Sequence, residues 1–113
     1  TRILAPSSIA LLARNQIGDL TAGELISASS TTTHDFLPMP GIEKGWSLGF
    51  LVNIVAVAGG RSAGSLAWAG IANCYYWADP VINVAGVLFT QVMPFADSEI
   101  LHTFEEFECL VYE

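Results

Sequence analysis

The sequence contains few basic residues and few charged residues of either sign. Lys and Arg together number 4 among 113 residues, against 11 Asp and Glu, which gives a formal net charge of -7 at pH 7. The basic residues are scattered along the chain, whereas a surface that binds nucleic acid or anionic lipid needs concentrated positive charge. We therefore expect no nucleic-acid partner and no anionic membrane surface as a partner.

Cysteine and histidine are also scarce, with two residues of each. Cys74 falls in an apolar segment and Cys109 in a predicted helix, and nothing else in the composition suggests a disulfide scaffold. We therefore expect two reduced thiols. His34 and His102 lack a second His or a Cys at metal-ligand spacing, so we interpret both as surface histidines and expect no metal site and no cofactor.

The apolar segments are too short to cross a bilayer, which needs about 20 residues. Residues 48–59 form one such segment, and Asn53 interrupts it. The N-terminal residues show no basic region followed by an apolar core and a cleavage site with small residues, so no signal peptide is visible. We expect a cytoplasmic location without a membrane anchor.

The chain is unusually apolar for its length. Hydrophobic residues make up 52% of the sequence and charged residues 13%, which is too apolar and too weakly charged for a free-standing domain of this size. No internal repeat and no boundary for a second domain is visible. We therefore expect a single domain, with part of its apolar surface in contact with another polypeptide.

Two segments carry helix signals. Pro6 suits the first residue of a helix, because its missing N–H has no intrahelical partner there, and this predicts a helix over residues 6–16. Asp97 or Ser98 can cap a second helix, in which apolar residues at i, i+4, i+7 and i+11 form a stripe that we expect to pack on a sheet. The stripe consists of Ile100, Phe104, Phe107 and Val111. The acidic residues of this segment, Glu108 among them, are interpreted as its solvated face.

Residues that favour β-structure define strands over 46–57, 65–72, 74–78 and 84–92. The last strand is apolar at both alternating sets of positions, which indicates burial on both faces and layers above and below the sheet. Asp79 precedes Pro80 and is interpreted as a turn residue, because Asp bonds its own backbone in such turns. Residues 21–40 lack periodicity and predict a long surface loop, which we expect to help shape a substrate pocket.

A short nucleophile motif also occurs, since residues 60–64 fit Gly-x-Ser-x-Gly around Ser62. Asp79 or Asp97 and then His102 follow in the order found in α/β-hydrolases. That fold needs a helix directly after the serine, which the glycine-spaced aromatic segment does not supply, and 113 residues are too few to house it. We therefore interpret residues 60–64 as the connection of a β-hairpin.

The stretch over residues 64–80 carries a family resemblance. It contains Trp68-Ala69-Gly70, a Tyr-Tyr-Trp strand and Asp79-Pro80, and residues 86–95 follow with Gly-Val-Leu-Phe-Thr-Gln-Val-Met-Pro-Phe. In order and spacing these pieces resemble the C-terminal portion of serine hydrolases related to class C β-lactamases. They are most similar to the esterase and transesterase branch, in which Trp-Gly-Gly replaces Lys-Thr-Gly. Ala69 departs from that pattern by one methyl group.

The resemblance implies an α/β (α+β) fold, in which an antiparallel β-sheet flanked by helices forms the C-terminal part of a β-lactamase/transpeptidase-like domain. The family's Ser-x-x-Lys and tyrosine elements are missing. The only lysine, Lys44, has Gly41 three residues before it, and no tyrosine has Asn or Ser two residues after it. We therefore expect the nucleophile to come from an N-terminal portion of the same enzyme, and this chain alone to be inactive.

What the chain would contribute is the family's third motif. The resemblance assigns Trp68, Ala69 and Gly70 to substrate binding and the backbone N–H of Ile71 to the oxyanion hole, where it stabilises developing negative charge. Trp68 replaces the lysine of β-lactamases, which favours hydrolysis or transfer of a small acyl ester or thioester. The alternative is a non-catalytic structural or interaction protein on the same fold.

Overall fold

The structure is a computed structural model that describes residues 3–113. Within these residues, two helices accompany one five-stranded sheet. The elements in chain order are α1 (Pro6–Ala13), β1 (Lys44–Trp46), β2 (Leu51–Asn53), β3 (Leu66–Gly70), β4 (Cys74–Asp79), β5 (Val84–Leu88) and α2 (Ser98–Tyr112). The strands lie in chain order across the sheet, and every neighbouring pair is antiparallel, which confirms the predicted α+β class. No helix among the described residues has the length and apolarity needed to cross a membrane.

Helix α1 begins at Pro6, as predicted, but ends sooner than predicted, at Ala13. The next residue, Arg14, is extended, with φ -80° and ψ 140°. The side-chain oxygen of Asn15 accepts a hydrogen bond from the main-chain N–H of Trp46 at 3.1 Å. An Asn side chain that bonds to main chain competes with continuation of a helix, and this explains the early end.

The predicted strand over residues 46–57 is wrong in extent, because the chain turns back within it. Trp46 at the end of β1 lies opposite Leu51 at the start of β2. Between them, the hydroxyl of Ser47 accepts from the N–H of Phe50 at 3.0 Å, and the Ser47 N–H donates to the Phe50 carbonyl at 2.8 Å. A serine hydroxyl that bonds nearby main chain stabilises a turn, so the segment forms a short hairpin.

The prediction for the last strand is wrong as well. β5 ends at Leu88 instead of residue 92, lies at the edge of the sheet, and has no buried residue. Ala85 and Val87 are exposed because no layer within residues 3–113 packs over that face of the strand. β3 and β4, by contrast, match their predicted ranges to within one or two residues.

The hydrophobic core lies between the sheet and α2. Trp77 on β4 is 1% exposed and packs edge to face against Phe104 and Phe107, with ring centroids 5.6 and 5.3 Å apart. Gly86 lies opposite Trp77 on β5 and leaves the space that the indole ring occupies. The predicted stripe and the predicted cap of α2 are confirmed: all four apolar residues belong to or pack against this core, and Asp97 accepts two main-chain N–H groups.

Glu108 corrects the prediction that the acidic residues of α2 form a solvated face. It is 8% exposed, and its carboxylate accepts hydrogen bonds from two nitrogens of Arg61, Nε at 2.8 Å and a terminal amino group. A buried carboxylate needs such a partner, because removing an unpaired charge from water is costly. The other acidic residues of this segment are exposed, as predicted: Glu99, Glu105, Glu106 and Glu113.

The cysteines and histidines lie as predicted. Cys74 is half-buried on β4, Cys109 is exposed on α2, and the two thiols are free. His34 and His102 are exposed. Neither residue type forms part of the hydrophobic core.

Candidate functional site

The residues that the resemblance assigns to the third motif lie at the end of β3. The segment Trp68-Ala69-Gly70 completes the strand, and Ile71 begins the turn to β4. β2 covers only the start of β3, because its first residue, Leu51, pairs with Ala67. Within residues 3–113 no strand pairs with the rest of β3 on this side. We call the segment from Trp68 to Ile71 the open edge.

The hydrogen-bond pattern determines which main-chain groups point toward this side. The carbonyl of Ser65 accepts from the N–H of Asn53 on β2 at 3.0 Å. In antiparallel strands the direction of these groups alternates from residue to residue. Ala67 and Ala69 therefore face the same side as Ser65, and Ile71 follows in that alternation where the turn begins. The open edge thus presents main-chain donors and acceptors that are not engaged by a strand of the described part of the chain.

An aromatic cluster lies beside the open edge. The rings of Trp46 and Trp68 meet edge to face with their centroids 4.5 Å apart, and those of Phe50 and Tyr76 do so at 6.4 Å. Trp68 and Tyr76 are directly opposite each other on β3 and β4, and all four side chains are half-buried. Burial raises the pKa of Tyr76, so its hydroxyl stays neutral at neutral pH. The cluster is a rigid, uncharged wall.

The loop over residues 21–40 forms cavities together with this wall. One cavity is lined by Leu25, Pro38, Trp46, Leu51 and Trp68, among others. Pro38 and Trp68 also line a second cavity, which extends over Ala69 toward α2. The prediction of a surface loop fails at Phe36, which is 7% exposed and packs against Phe95 with ring centroids 5.0 Å apart. The buried ring fixes the loop to the core, so the loop contributes ordered walls beside the motif.

Asn73, which the sequence analysis missed, holds the turn that carries Ile71. It is fully buried, and its side chain bonds to main chain in residues 92–97 and to the hydroxyl of Tyr75. Burial raises the pKa of Tyr75 to about 12, so this hydroxyl keeps the proton that it donates to Asn73. The one signal in the sequence was an Asn at the end of a short turn, where the left-handed conformation favours it.

Asp79 has a larger role than the predicted turn. Its carboxylate accepts from the N–H of Val81 at 3.0 Å, as a turn residue does, and also from the Ser62 N–H at 2.8 Å and the Tyr112 hydroxyl at 3.1 Å. Burial by itself would raise the pKa of Asp79, but these hydrogen bonds outweigh it and lower the pKa. The ionised carboxylate therefore joins the β2–β3 connection to the end of α2.

Residues 3–113 assemble neither a serine–histidine–acid triad nor a metal site. Residues 60–64 lie in the connection between β2 and β3, as predicted, and the next element after Ser62 is the strand β3, not a helix. His102 lies 3.4 Å from the Glu106 carboxylate on its own helix, and no hydrogen bond joins it to Ser62 or to an Asp, so no serine–histidine–acid triad is present. In the same residues, no group of three or more His, Cys, Asp and Glu side chains could hold a metal ion.

The only lysine of the chain has a structural role. Lys44 is 3% exposed, and its ammonium group donates to the carbonyls of Met39 and Ile42 at 2.8 and 2.6 Å. Burial lowers the pKa of Lys44, because the charged ammonium group loses its contact with water. Among residues 3–113 no carboxylate forms a salt bridge with it. The ammonium group closes the base of the loop over residues 21–40.

The sheet, α2 and the motif strand define a β-lactamase-like fold, which the chain shares with LovD acyltransferases. Unliganded simvastatin synthase (LovD) from Aspergillus terreus is 26% identical and has a TM-score of 0.63, over 66% of this chain and 20% of that chain. Its LovD9 mutant is 22% identical with a TM-score of 0.61, over 63% of this chain and 19% of that chain. This chain therefore spans about a fifth of the length of the solved chains that it matches. No protein-family model and no curated protein sequence matches it.

Proposed function

We propose that this chain is the C-terminal portion of a serine-dependent acyl-ester hydrolase or acyltransferase. In this proposal an N-terminal portion of the same enzyme carries the Ser-x-x-Lys and tyrosine elements. The present chain supplies the N–H of Ile71 to the oxyanion hole, Trp68 as a pocket wall, and Ala69 and Gly70 as the strand along which the substrate lies.

The observation that carries the proposal is the open edge. A strand whose main-chain groups were paired on both sides could not donate to a substrate, whereas β3 loses its partner after Ala67. An oxyanion donor acts on charge that develops in the tetrahedral intermediate, and removal of one such donor typically lowers kcat by roughly 10²–10³. Among residues 3–113 no main-chain hydrogen bond engages the N–H of Ile71, so this group is available for that role.

The reaction follows from these parts. The serine oxygen of the N-terminal portion attacks the acyl carbon while the lysine and tyrosine accept its proton. The carbonyl oxygen becomes negatively charged and is bound by the N–H of Ile71 and by the N–H of the nucleophile. The bond to the alcohol or thiol breaks, and this group leaves with the proton taken from the serine. Water or an acceptor alcohol then attacks the acyl carbon, the bond to the serine oxygen breaks, and the serine recovers a proton from the attacking group, which gives hydrolysis or transfer.

The nature of the wall favours an ester or thioester substrate. Trp68 stands where β-lactamases have a lysine, so the cation that would bind the carboxylate of a β-lactam is absent from this position. The cavities beside it are lined largely by apolar side chains such as Leu25 and Leu51. An uncharged acyl group is the substrate part that such a wall accommodates.

A non-catalytic structural or interaction role on the same fold is the second candidate. Exposed apolar side chains favour it, because Phe89 is 78% exposed and Val87, on the uncovered face of β5, is 48% exposed. Apolar surface of this kind is typical of a face that contacts another polypeptide. The enzyme proposal needs such a contact as well, so only a test for the nucleophile separates the two.

The test uses the full-length protein that contains this chain and a fluorophosphonate probe, with peptide mapping of the labelled residue. Labelling of the serine in a Ser-x-x-Lys sequence supports the enzyme, and a folded protein without labelling removes it. The second part compares Ile71→Pro with Ile71→Ala, because proline lacks the N–H and alanine keeps it. We expect kcat for a short-chain ester to be at least about tenfold lower in the proline variant than in the alanine variant.

A further inference from the structure

The turn between β3 and β4 is exposed at its first residue and buried at its last. Gly70 and Cys74 close the hairpin, and the three residues between them form the turn. Ile71 is 61% exposed, whereas Asn73 is fully buried and has a φ of 56°. Most residues are strained in this left-handed conformation, but Asn tolerates it. The backbone at Asn73 is therefore the point where the turn enters the protein interior.

The side-chain amide of Asn73 uses its full hydrogen-bonding capacity, which is two donors and two acceptor positions. Its nitrogen donates to the carbonyls of Val92 at 3.0 Å and Pro94 at 2.7 Å. Its oxygen accepts from the Tyr75 hydroxyl at 2.7 Å and from the Asp97 N–H at 3.0 Å. In the opposite orientation the amide oxygen would face the carbonyls of Val92 and Pro94, and the amide nitrogen would face the N–H of Asp97. These groups therefore determine the orientation of the amide.

The main chain of the turn is attached to the same segment. The single proton of the Thr90 hydroxyl is shared between the carbonyls of Ala72 and Asn73, which lie 2.5 and 3.0 Å from the hydroxyl oxygen. The Val92 N–H reaches the Ala72 carbonyl at 3.4 Å. Two residues of the turn are thus bound from one side, by the connection between β5 and α2.

Two of the partners of Asn73 are tied to the hydrophobic core and to the start of α2. The ring of Tyr75 stacks on Phe104 in the core, with centroids 5.1 Å apart. Asp97 is the residue that caps α2. The location of the turn is therefore set by the core and by the start of α2, through Asn73.

An oxyanion donor has to lie within a few tenths of an ångström of its required position. We propose that Asn73 is a positioning residue for the N–H of Ile71, which it fixes two residues away by locking the turn to residues 90–97. This inference rests on the proposed function of Ile71. Asn73 does not touch the substrate in this arrangement and acts only through the backbone.

The test compares variants of the full-length protein. Asn73→Gly removes the amide and keeps the left-handed conformation available, and Tyr75→Phe removes one of its four partners. Tyr112→Phe is the matched control, because it also removes a tyrosine hydroxyl that donates to a buried side chain, in this case Asp79. Tyr112 is half-buried and lies away from the turn. We expect kcat to fall at least about tenfold for Asn73→Gly and several-fold for Tyr75→Phe, with KM changed less than about twofold. We expect Tyr112→Phe to lower the melting temperature and to leave kcat at the assay temperature unchanged.

A readout independent of activity separates this inference from the proposed function. In crystal structures of the wild type and Asn73→Gly, we expect the nitrogen of Ile71 to move by more than about 0.5 Å. An unmoved nitrogen, or a loss of kcat equal in Tyr75→Phe and Tyr112→Phe, overturns the positioning role. If the wild type reacts with no probe and no ester, the proposed function is wrong, and the displacement of Ile71 still decides whether Asn73 positions it.

Discussion

The guanidinium of Arg61 and the carboxylate of Glu108 form a paired contact inside the protein, between the β2–β3 connection and α2. Their side chains are 5% and 11% exposed. The guanidinium also lies over the rings of Trp77 and Phe104, at 5.7 and 5.8 Å from their centroids. The pair therefore connects a loop at one end of the sheet to the helix that covers the core. Because both side chains are nearly inaccessible to solvent, water could not stabilise either charge if its partner were removed.

Removal of the carboxylate leaves a buried cation without its partner. We expect Glu108→Ala to lower the free energy of unfolding by about 3–5 kcal/mol. Glu106→Ala on the exposed face of the same helix is the control, with an expected change below about 0.5 kcal/mol. Urea denaturation measures both. Equal effects of the two variants would mean that the pair adds nothing beyond a surface contact.

A methyl group at Gly86 would collide with the indole of Trp77, which is held on its other side by Phe104 and Phe107. We expect Gly86→Ala to be destabilised by about 1–3 kcal/mol, because an overpacked core must shift rings or backbone. At Gly23 the same methyl group meets no atom within 4 Å. Gly23→Ala is therefore the control, and a melting temperature that falls as far for it as for Gly86→Ala would refute the packing explanation.

The lowered pKa of Asp79 predicts a dependence of stability on pH. The folded-state pKa is below the unfolded value of about 3.9, so the contribution of the carboxylate is fully present above that pH and is lost as the pH falls through the folded-state pKa. The difference in unfolding free energy between wild type and Asp79→Asn should therefore be largest near neutral pH and shrink below about pH 4. Urea denaturation across this range checks it, and a constant difference contradicts it.

If the proposed function is right, Trp68 sets the affinity for the acyl group. Trp68→Ala removes one side of the pair with Trp46 and opens the wall of both cavities. We expect kcat/KM for a short-chain p-nitrophenyl ester to fall by roughly tenfold or more, which corresponds to about 1.4 kcal/mol of lost transition-state stabilisation. Trp68→Phe keeps an aromatic ring and should retain most of the activity. If kcat/KM falls equally in Trp68→Ala and Trp68→Phe, Trp68 does not act through apolar contact with the acyl group.

Local patterns predicted much of the fold. Pro6 and Asp97 mark helix starts through their own backbone chemistry, and the stripe of Ile100, Phe104, Phe107 and Val111 follows from the period of a helix. β3 and β4 were predictable because glycine and Asp-Pro bound them. The hairpin of β1 and β2 was not, since a single hydroxyl at Ser47 turns a segment whose composition favours an extended strand.

The candidate site was predictable only in part. The motif Trp68-Ala69-Gly70 and Ile71 could be placed at the end of a strand from the sequence. That β2 stops opposite Ala67, and so leaves this end of the strand open, depends on the length of a different strand. Asn73 gave almost no signal, because its four partners are distributed over residues 75–97.

The sequence by itself determined the elements whose causes are local: the starts of two helices, the strands around the motif, and the scarcity of positive charge. The tertiary structure decided which polar groups are buried and paired. Glu108 has the sequence context of a solvated residue, and only the approach of Arg61 from 47 positions away makes its burial tolerable. The physical reason is that hydrogen bonds and ion pairs are specified by contact in space, and a contact between distant residues leaves no periodic trace in the chain.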